Sequence, residues 1–449
     1  MKTRIPALFV MCLSIFLFSC SSGDDDSSTS SSTTGSTEYC YEPSSTVDTT
    51  TTTTGNYAVV DTNQTTCFDS SSGSAVTCTG TSDTDTAYDA DFARNQPSYT
   101  VNSAGTIVTD NNTSLMWTQS TDTNDDDAID TDDKMTMVDA VAYCDDLSLG
   151  GHSDWRLPDI KTLYSLITFN GGDPSSYTGT DTSSLTPFIH SDFDWAFGDQ
   201  AAGERIIDGQ YLTSTRNVNS VFADTNPNDA FFGVNFVDGR IKSYPCNSST
   251  STYYVRCVRG NTDYGLNNFT STNSGTTISD SATGLMWQQT DAPSTDWDDA
   301  VDTCRSATTA GFSDWRLPNV KELQSIVDYT RSPDTTSSGA IDSLFSVSAI
   351  TNEEGTTDQP YYWSSTTHKT NSGDGQAGAY VPFGRALGYF QSEVQDVHGA
   401  GAQRSNNKTN VSGTAGASSL TNSTGTFYYK GPQGDILRED NYVRCVRDI

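Results

Sequence analysis

Three blocks of sequence occur twice along the chain, in the same order each time. One block reads GHSDWRLPDIKTL at 151–163 and returns at 311–323 as GFSDWRLPNVKEL, with nine of thirteen positions identical. The other two are TIVTDNNTSLMWTQS at 106–120 with TTISDSATGLMWQQT at 276–290, and YVRCVR at 254–259 and 442–447. Repeats of this length form whole domains rather than solenoid units. The sequence therefore predicts two homologous domains, residues 91–260 and 261–449.

Both repeats predict the same local elements. A hairpin is expected from the first block, an amphipathic helix after it, a second helix whose first position is Pro158 or Pro318, and a closing YVRCVR strand. The helical spacing i, i+3, i+4, i+7 is shared by Met137, Ala140, Val141 and Cys144 and by Trp297, Ala300, Val301 and Cys304. In the DWRLP blocks we expect Trp155 and Trp315 in the core, and Asp154–Arg156 and Asp314–Arg316 pairs at the helix starts.

The ten cysteines fit the repeat and an oxidising compartment. Each repeat has one cysteine on its first helix and one in its last strand, which predicts the disulfides Cys144–Cys257 and Cys304–Cys445. Cys67 and Cys78 are close in sequence and are expected to form a local bond. A bond between Cys40 and Cys246 is left open, because sequence alone does not determine connectivity.

The N-terminus predicts export and lipidation. Lys2 and Arg4 precede an apolar run, Ile5 to Phe18, that is too short to span a bilayer. The run ends in LFSC, which resembles a bacterial lipobox and implies a signal peptide at 1–19 and a lipid on Cys20; an ordinary signal peptide is the alternative. A Ser/Thr-rich tether at 20–56 is expected to be disordered, and 57–90 forms an N-terminal cysteine-containing segment.

Composition limits the partners. The chain has 57 acidic residues against 24 Lys and Arg, a formal net charge of −33. A nucleic-acid-binding surface has to be basic, so nucleic acid is excluded as a partner. The expected location is the bacterial outer membrane or cell surface, with the membrane reached through the lipid anchor; the sequence does not tell whether the domains face the periplasm or the exterior.

The repeated motifs resemble those of a known family. GLMWQ, SDWRLPN-x-KEL, YWSST and YVRCVR look like the Lcl C-terminal-domain family, a domain of unknown function similar to C-type-lectin-like and formylglycine-generating-enzyme-like folds. The resemblance implies an α+β fold class: two tandem C-type-lectin-like domains, each with two helices, a small antiparallel sheet and long loops. In C-type-lectin-like domains a disulfide joins the first helix to the last strand, as the cysteine spacing also predicts.

An acidic segment, DTNDDDAIDTDD at 122–133, predicts a structural calcium site. It resembles an EF-hand or dockerin loop, and its predicted ligands are Asp122, Asn124, Asp126 and Asp133. Asp127 stands where these loops usually have Gly, and the second repeat lacks the segment. The alternative interpretation is a solvated acidic linker.

The function predicted is non-catalytic. No calcium-dependent sugar triplet, zinc-binding histidine pair, P-loop or nucleophile elbow occurs in the sequence. His398, Gln403 and Arg404, in a Gly-rich loop of the second repeat, are candidates for ligand contact, or they hold that loop together. We expect an adhesin or ligand-binding module for an unidentified surface glycan or protein; the alternatives are a structural envelope-assembly component and, less favoured, a formylglycine-enzyme-like oxidase.

Overall fold

The computed structural model describes residues 40, 56–78, 88–219, 221 and 229–449. The predicted signal peptide, Cys20 and nearly all of the predicted tether lie outside these residues. The described part of the chain belongs to one compact unit that extends from Glu38 to Ile449. In that part, no helix is long and apolar enough to cross a membrane.

The described residues contain four short α-helices, which are α1 Met137–Asp146, α2 Ile160–Tyr164, α3 Trp297–Arg305 and α4 Val320–Ser325. Up to the end of the first repeat the strands are β1 Cys67–Phe68, β2 Ala75–Val76, β3 Tyr99–Val101, β4 Ile107–Asp110, β5 Met116–Thr118, β6 Gln210–Tyr211, β7 Ala230–Asn235, β8 Arg240–Pro245 and β9 Val258–Arg259.

In the second repeat the strands are β10 Phe269–Thr272, β11 Thr277–Asp280, β12 Leu285–Gln288, β13 Ala292–Thr295, β14 Ile350–Thr351, β15 Thr357–Asp358, β16 Tyr361–Thr367, β17 Ala377–Pro382, β18 Leu387–Phe390, β19 Glu393–Asp396, β20 Arg404–Asn407, β21 Ser418–Asn422, β22 Gly425–Lys430, β23 Asp435–Leu437, β24 Asn441–Val443 and β25 Val446–Asp448. Single-turn 3₁₀ helices occur at Asp89–Asp91, Thr131–Asp133, Asn273–Gly275 and Thr309–Gly311.

The expected α+β class, with two C-type-lectin-like domains built on two helices and one small sheet each, is wrong. The structure is mostly β. Strands account for 30% of the residues and form many sheets, and helices account for 11%. The difference arises after the second helix of each repeat, where long loops were expected. Every residue of β7 and of β16 is buried, so neither strand shows the polar–apolar alternation by which a half-exposed strand is recognised.

The repeated blocks build two equivalent four-stranded sheets. Their orders are β3-β4-β5-β9 and β10-β11-β12-β25, so the closing strand of each repeat pairs with its LMW strand. Trp117 and Trp287, in those LMW strands, are fully buried. Because this pairing joins the start of each repeat to its end, each repeat closes upon itself.

The YVRCVR motifs are not single strands. In the second repeat β24 and β25 belong to different sheets, and the chain passes between them at Arg444 and Cys445. Arg444 and its counterpart Arg256 are 1% and 0% exposed. Each guanidinium donates to three backbone carbonyls, of Gln288, Gln289 and Ser346 for Arg444 and of Thr118, Gln119 and Asp194 for Arg256.

The helices begin at caps rather than at the prolines. The side chains of Asp159 and Asn319 accept from the backbone of the third helical residue of α2 and α4. Pro158 and Pro318 therefore precede the cap instead of occupying the first helical position. In α1 and α3 the residues at the predicted helical spacing are buried, apart from the half-buried Val141.

Four disulfides hold the described chain. Two of them, Cys144–Cys257 and Cys304–Cys445, join the first helix of a repeat to its closing motif, as the repeat spacing predicts. Cys67 and Cys78 form the local bond. The pair that the sequence left open, Cys40 and Cys246, is also joined.

The second repeat carries an additional five-stranded sheet. Its order is β19-β18-β23-β22-β21. The described residues of the first repeat hold no counterpart, since only a short stretch separates β8 from the closing motif there. Repeat two is therefore the shared scaffold with a sheet added to it.

Candidate functional site

The two repeats meet along α2 and α4, and we call this contact the joint. Two equivalent lysines reach across it, each from its own repeat to the other. Lys161 Nζ donates to the Ser325 carbonyl at 2.7 Å, and Lys321 Nζ donates to the Ser165 carbonyl at 2.8 Å. Ser165 and Ser325 are themselves equivalent positions, four residues after each lysine. The contact is therefore reciprocal, as at the interface of a symmetric dimer.

The remaining partners of the two lysines differ. Lys161 Nζ also donates to the Gly265 carbonyl at 3.1 Å and to Asn267 Oδ1 at 2.9 Å. Lys321 Nζ donates to one further acceptor, the Asp61 carbonyl, at 3.0 Å. Lys161 thus has a side-chain amide within reach, whereas Lys321 contacts backbone carbonyls alone.

A pocket lies around these lysines, and we call it the joint pocket. Its empty volume is about 270 Å³, including space open to solvent. The residues that line it are Tyr57, Val59, Val60, Lys161, Tyr164, Ser165, Tyr264, Gly265, Lys321, Gln324 and Ser325. The rings of Tyr57 and Tyr264 lie 4.7 Å apart at its wall. The joint pocket therefore combines an aromatic wall with the side chains of both lysines, between the two repeats.

Burial changes the acid–base behaviour of both lysines. It lowers the pKa of Lys161 to about 8, against the opposing effect of Asp159, Asp328 and Asp280. It lowers the pKa of Lys321 to about 7. Both amines therefore reach their neutral form far more easily than an exposed lysine does.

The N-terminal segment is built into this joint. Thr62 and Gln64 bond to both repeats: Phe169 N–H donates to Thr62 O at 2.6 Å, and Gln64 exchanges hydrogen bonds with the Thr367 backbone. Asp89 is buried and accepts from Thr62 Oγ1 and Thr366 Oγ1. Burial, with the nearby Asp61 charge, raises the pKa of Asp89 to about 7.

The predicted ligand loop of the second repeat is buried. His398, Gln403 and Arg404 are 1%, 0% and 7% exposed. His398 Nε2 lies 2.9 Å from Asp435 Oδ1, and the Arg404 guanidinium pairs with Asp435 Oδ2. Although burial alone would raise it, Arg404 and His398 hold the pKa of Asp435 well below its usual range.

Gln403 reaches the first repeat. Its backbone N–H donates to the Ile241 carbonyl, and its side-chain oxygen accepts from Tyr164 Oη at 3.2 Å. The structure therefore places these three residues where they hold the loop, the added sheet and the joint together. None of them is on an open surface.

The added sheet presents an apolar face with a small core of its own. The strand register places seven apolar or aromatic residues on that face, and these residues also pack together. They are Leu387, Tyr389, Val394, Leu420, Phe427, Tyr429 and Ile436. Tyr389, Val394, Leu420 and Tyr429 remain partly exposed. The opposite face includes Asp435, which faces the body of the protein through Arg404 and His398. Leu387, Phe427 and Ile436 on the apolar face are buried, so this face is only partly exposed, at its rim of partly exposed side chains.

The acidic segment forms a compact turn. Asp122 accepts from the backbone N–H groups of Asp126 and Asp127, and Asn124 Oδ1 accepts from Asp126 N–H at 3.0 Å. Asp133 is buried, and its two oxygens accept from Thr123 and Asp130 N–H. Asp127 adopts φ 67°, the left-handed conformation that usually favours Gly at this position.

The predicted calcium ligands are not gathered around one point. Among the described residues, three acidic, histidine or cysteine ligand atoms come within 4.8 Å of one another only at Cys67, Cys78 and Asp91. Those two cysteines are disulfide-bonded. Calcium binding at Asp122, Asn124, Asp126 and Asp133 stays a prediction, and it requires the turn to draw its carboxylates together.

The DWRLP blocks are structural, but their ion pairs differ from those expected. Trp155 and Trp315 are buried, as predicted. Asp154 pairs with Arg259 and Asp314 with Arg447, both at 2.7 Å, so each aspartate holds the closing strand rather than the neighbouring arginine. The freed Arg316 pairs instead with Glu322 of α4 at 2.5 Å.

Sequence reasoning missed the lysines of the joint and the buried arginines of the closing motifs. One signal in the sequence could have identified the lysines. Lys161 and Lys321 occupy the same position of a duplicated block, beside residues that form the buried side of a helix. A lysine at that helix position in both copies indicates a buried ammonium group, and a buried ammonium group needs fixed hydrogen-bond acceptors.

Comparison with known proteins gives one match. The family model described as the Lcl C-terminal domain matches residues 106–259 and again 276–447. No curated protein and no solved structure matches the chain.

Proposed function

The chain belongs to the Lcl C-terminal domain family, and from this premise we propose that it is a non-catalytic ligand-binding module of adhesin type, anchored to the bacterial outer membrane by a lipid on Cys20. Its two family domains are fused into one body by the reciprocal lysine contacts, the shared core and the N-terminal segment. Such a body provides a rigid support on which a recognition surface is added.

One observation carries the proposal: the five-stranded sheet of the second repeat, which has no counterpart among the described residues of the first. Both repeats share the buried arginines, the tryptophans and the helix-to-strand disulfide, all of which serve the scaffold. The second repeat differs by what is added to this scaffold, a sheet whose apolar face leaves Tyr389 and Tyr429 partly exposed. Their rings lie 4.9 Å apart. Partly exposed tyrosines are enriched in binding surfaces because they combine apolar area with a polar hydroxyl.

The test is binding by the purified full chain to glycan arrays and to immobilised host-matrix proteins. The variant Tyr389→Ser/Tyr429→Ser should lose at least tenfold in affinity, while Tyr177→Ser, in an exposed loop of the first repeat, should bind as the parent does. Silence of the parent across both collections argues against a binding module. Equal binding by both variants places the recognition surface elsewhere.

The lipid anchor is tested separately. Metabolic labelling with a palmitate analogue should mark the parent and not Cys20→Ser, and Cys12→Ser should still be labelled. Protease shaving of intact cells should remove the domains if they face outward. Protection of the domains in intact cells, together with capture of an envelope protein by crosslinking, would favour the structural assembly role instead.

The oxidase alternative requires a reactive cysteine pair late in a repeat. Cys246 is joined to Cys40, and Cys445 is joined to Cys304. Both bonds connect distant parts of the chain, which is the arrangement of structural disulfides. This observation favours the binding module over the oxidase.

A further inference from the structure

Three side chains at the joint stand in the order nucleophile, amide, carboxylate. Lys161 Nζ lies 2.9 Å from Asn267 Oδ1, and Asn267 Nδ2 donates to Asp280 Oδ2 at 2.8 Å. Lys161 is in α2 of the first repeat, whereas Asn267 and Asp280 belong to the second. The amide of Asn267 therefore has an amine on its carbonyl side and a carboxylate on its nitrogen side.

The carboxylate is held rigidly for this role. Asp280 is fully buried, and its Oδ1 accepts from the backbone N–H groups of Asn268 and Ala282 at 2.8 and 3.1 Å. Thr283 Oγ1 donates to its Oδ2 at 2.8 Å. These contacts fix Oδ2 beside the Asn267 nitrogen, so a proton has a short path between the two atoms.

The amine is held as firmly. Lys161 Nζ is also fixed by the carbonyls of Ser325 and Gly265. The pKa of Lys161, lowered by burial to about 8, makes its neutral and nucleophilic form accessible near physiological pH. A nucleophile held against an amide in this way gains the advantage of an intramolecular reaction.

We propose that Lys161 and Asn267 become joined by an isopeptide bond, with Asp280 moving the proton. Neutral Lys161 Nζ attacks Cγ of Asn267 and forms a new C–N bond. Once that bond has formed, both nitrogens are attached to Cγ, and Asp280 Oδ2, which accepts from Nδ2, takes the extra proton from the attacking nitrogen and gives it to Nδ2. The bond from Cγ to Nδ2 then breaks, and Nδ2 leaves as ammonia. An amine and a primary amide become a secondary amide and ammonia, so no oxidant or cofactor is required, and Asp280 ends unchanged.

The equivalent lysine provides an internal comparison. Lys321 is buried at the same position of the other repeat, and its pKa is lowered as well. Its acceptors are the backbone carbonyls of Asp61 and Ser165, and no side-chain amide bonds to it in the described structure. Burial is therefore shared by both lysines, and buried Asp110, the counterpart of Asp280, is close enough to act on the charge of Lys321. Among the described residues, the side-chain amide is what Lys161 has and Lys321 lacks.

The bond would link the repeats covalently. Lys161 lies in the second helix of the first repeat, and Asn267 lies just before β10, the first strand of the second. The joint pocket, lined by both Lys161 and Gly265, includes space open to solvent beside the reacting amine. The inference does not rest on ligand binding, so it stands or falls independently of the proposed function.

The test is protease digestion and mass spectrometry of the purified, reduced full chain. We expect one branched peptide that contains Lys161 and Asn267 and is lighter than the sum of its two arms by one ammonia. Recovery of the two linear peptides, with Asn267 intact, would overturn the proposal. A linear Asn267 peptide that has lost ammonia, which is the signature of a succinimide with Asn268, would overturn it as well.

Two variants and one control identify the roles. Lys161→Met and Asp280→Asn should return both linear peptides, and Lys430→Met, at an exposed position, should keep the branched one. Asp280→Asn preserves the size of the side chain, so the loss of the bond in a chain that retains its far-ultraviolet spectrum assigns the proton transfer to the carboxylate. Retention of the branched peptide in Asp280→Asn would contradict that role.

Discussion

Lys161 and Lys321 each donate to a carbonyl at the end of the helix that carries the other lysine. This exchange of contacts makes α2 and α4 a matched pair, although the two helices are 160 positions apart in the chain. Two copies of one domain thus meet through one patch used twice, which is the economical way to build an interface between duplicated units.

Removal of one of these lysines should loosen the joint. Lys321→Met leaves the carbonyls of Asp61 and Ser165 without their donor, and an unpaired buried polar group costs about 1–3 kcal/mol. We expect the free energy of unfolding in urea to fall by about 2 kcal/mol or more. Lys430→Met, at an exposed position, should change it by less than about 0.5 kcal/mol. Equal effects of the two variants would show that the joint does not depend on Lys321.

Stability should depend on pH through Asp89. The folded state raises its pKa from 3.8 to about 7, so between about pH 4 and pH 7 the folded protein holds a proton that the unfolded chain has lost. The contribution of Asp89 is therefore complete below pH 4 and disappears as the pH rises through 7. Urea unfolding should show a steeper loss of stability between about pH 4 and pH 7 in the parent than in Asp89→Asn; parallel profiles would contradict the shift.

The long-range and the local disulfide should differ in how much they stabilise the folded protein. Cys304–Cys445 closes a separation of 141 residues and Cys67–Cys78 one of 11. In the chain-entropy account, the longer loop contributes about 4–5 kcal/mol and the shorter about 3 kcal/mol. The melting temperature should therefore fall further for Cys304→Ser/Cys445→Ser than for Cys67→Ser/Cys78→Ser. The reverse order would show that local packing around Cys67 outweighs loop closure.

The buried arginines should matter more than the exposed ion pairs beside them. Arg444→Leu strands the carbonyls of Gln288, Gln289 and Ser346, whereas Arg447→Leu breaks a pair with the largely exposed Asp314. We expect a loss of about 3 kcal/mol or more for Arg444→Leu and about 1 kcal/mol or less for Arg447→Leu. Chemical denaturation compares them directly, and a larger loss for Arg447→Leu would refute this ranking.

Calcium should stabilise the chain if the acidic turn binds it. A ligand that binds only the folded state raises the melting temperature. Added calcium should do so for the parent and not for Asp122→Ala, while Asp132→Ala, which alters an exposed acid outside the predicted ligand set, should respond like the parent. Calorimetric titration of the parent without heat would remove the site.

The elements recovered from sequence are those with local signals. The spacing from Met137 to Cys144 and from Trp297 to Cys304 predicted α1 and α3, because the buried face of a helix produces apolar residues at every third or fourth position. The strands β7 and β16 left no such trace. Both of their faces are covered, so polar and apolar residues do not alternate along them.

The contacts of the joint could not be predicted from local sequence patterns for another reason. The partners of Lys161 lie about 100 residues or more away, at Gly265, Asn267 and Ser325, and helical or strand periodicity carries no information on such contacts. The candidate ligand loop shows the same limit. A Gly-rich segment fits both ligand contact and support of the loop, and sequence alone does not reveal that His398 and Arg404 pair with Asp435 of the added sheet.

The Cys40–Cys246 bond decides how this molecule transmits load. Tension applied to the chain ahead of Cys40 has a covalent path through the sulfur bridge into the first repeat at the end of β8. The backbone that inserts Thr62 and Gln64 between the repeats is therefore not the sole covalent connection that bears this tension. A protein that is pulled by its N-terminus, as one held at a surface under flow would be, would thereby keep its two halves together.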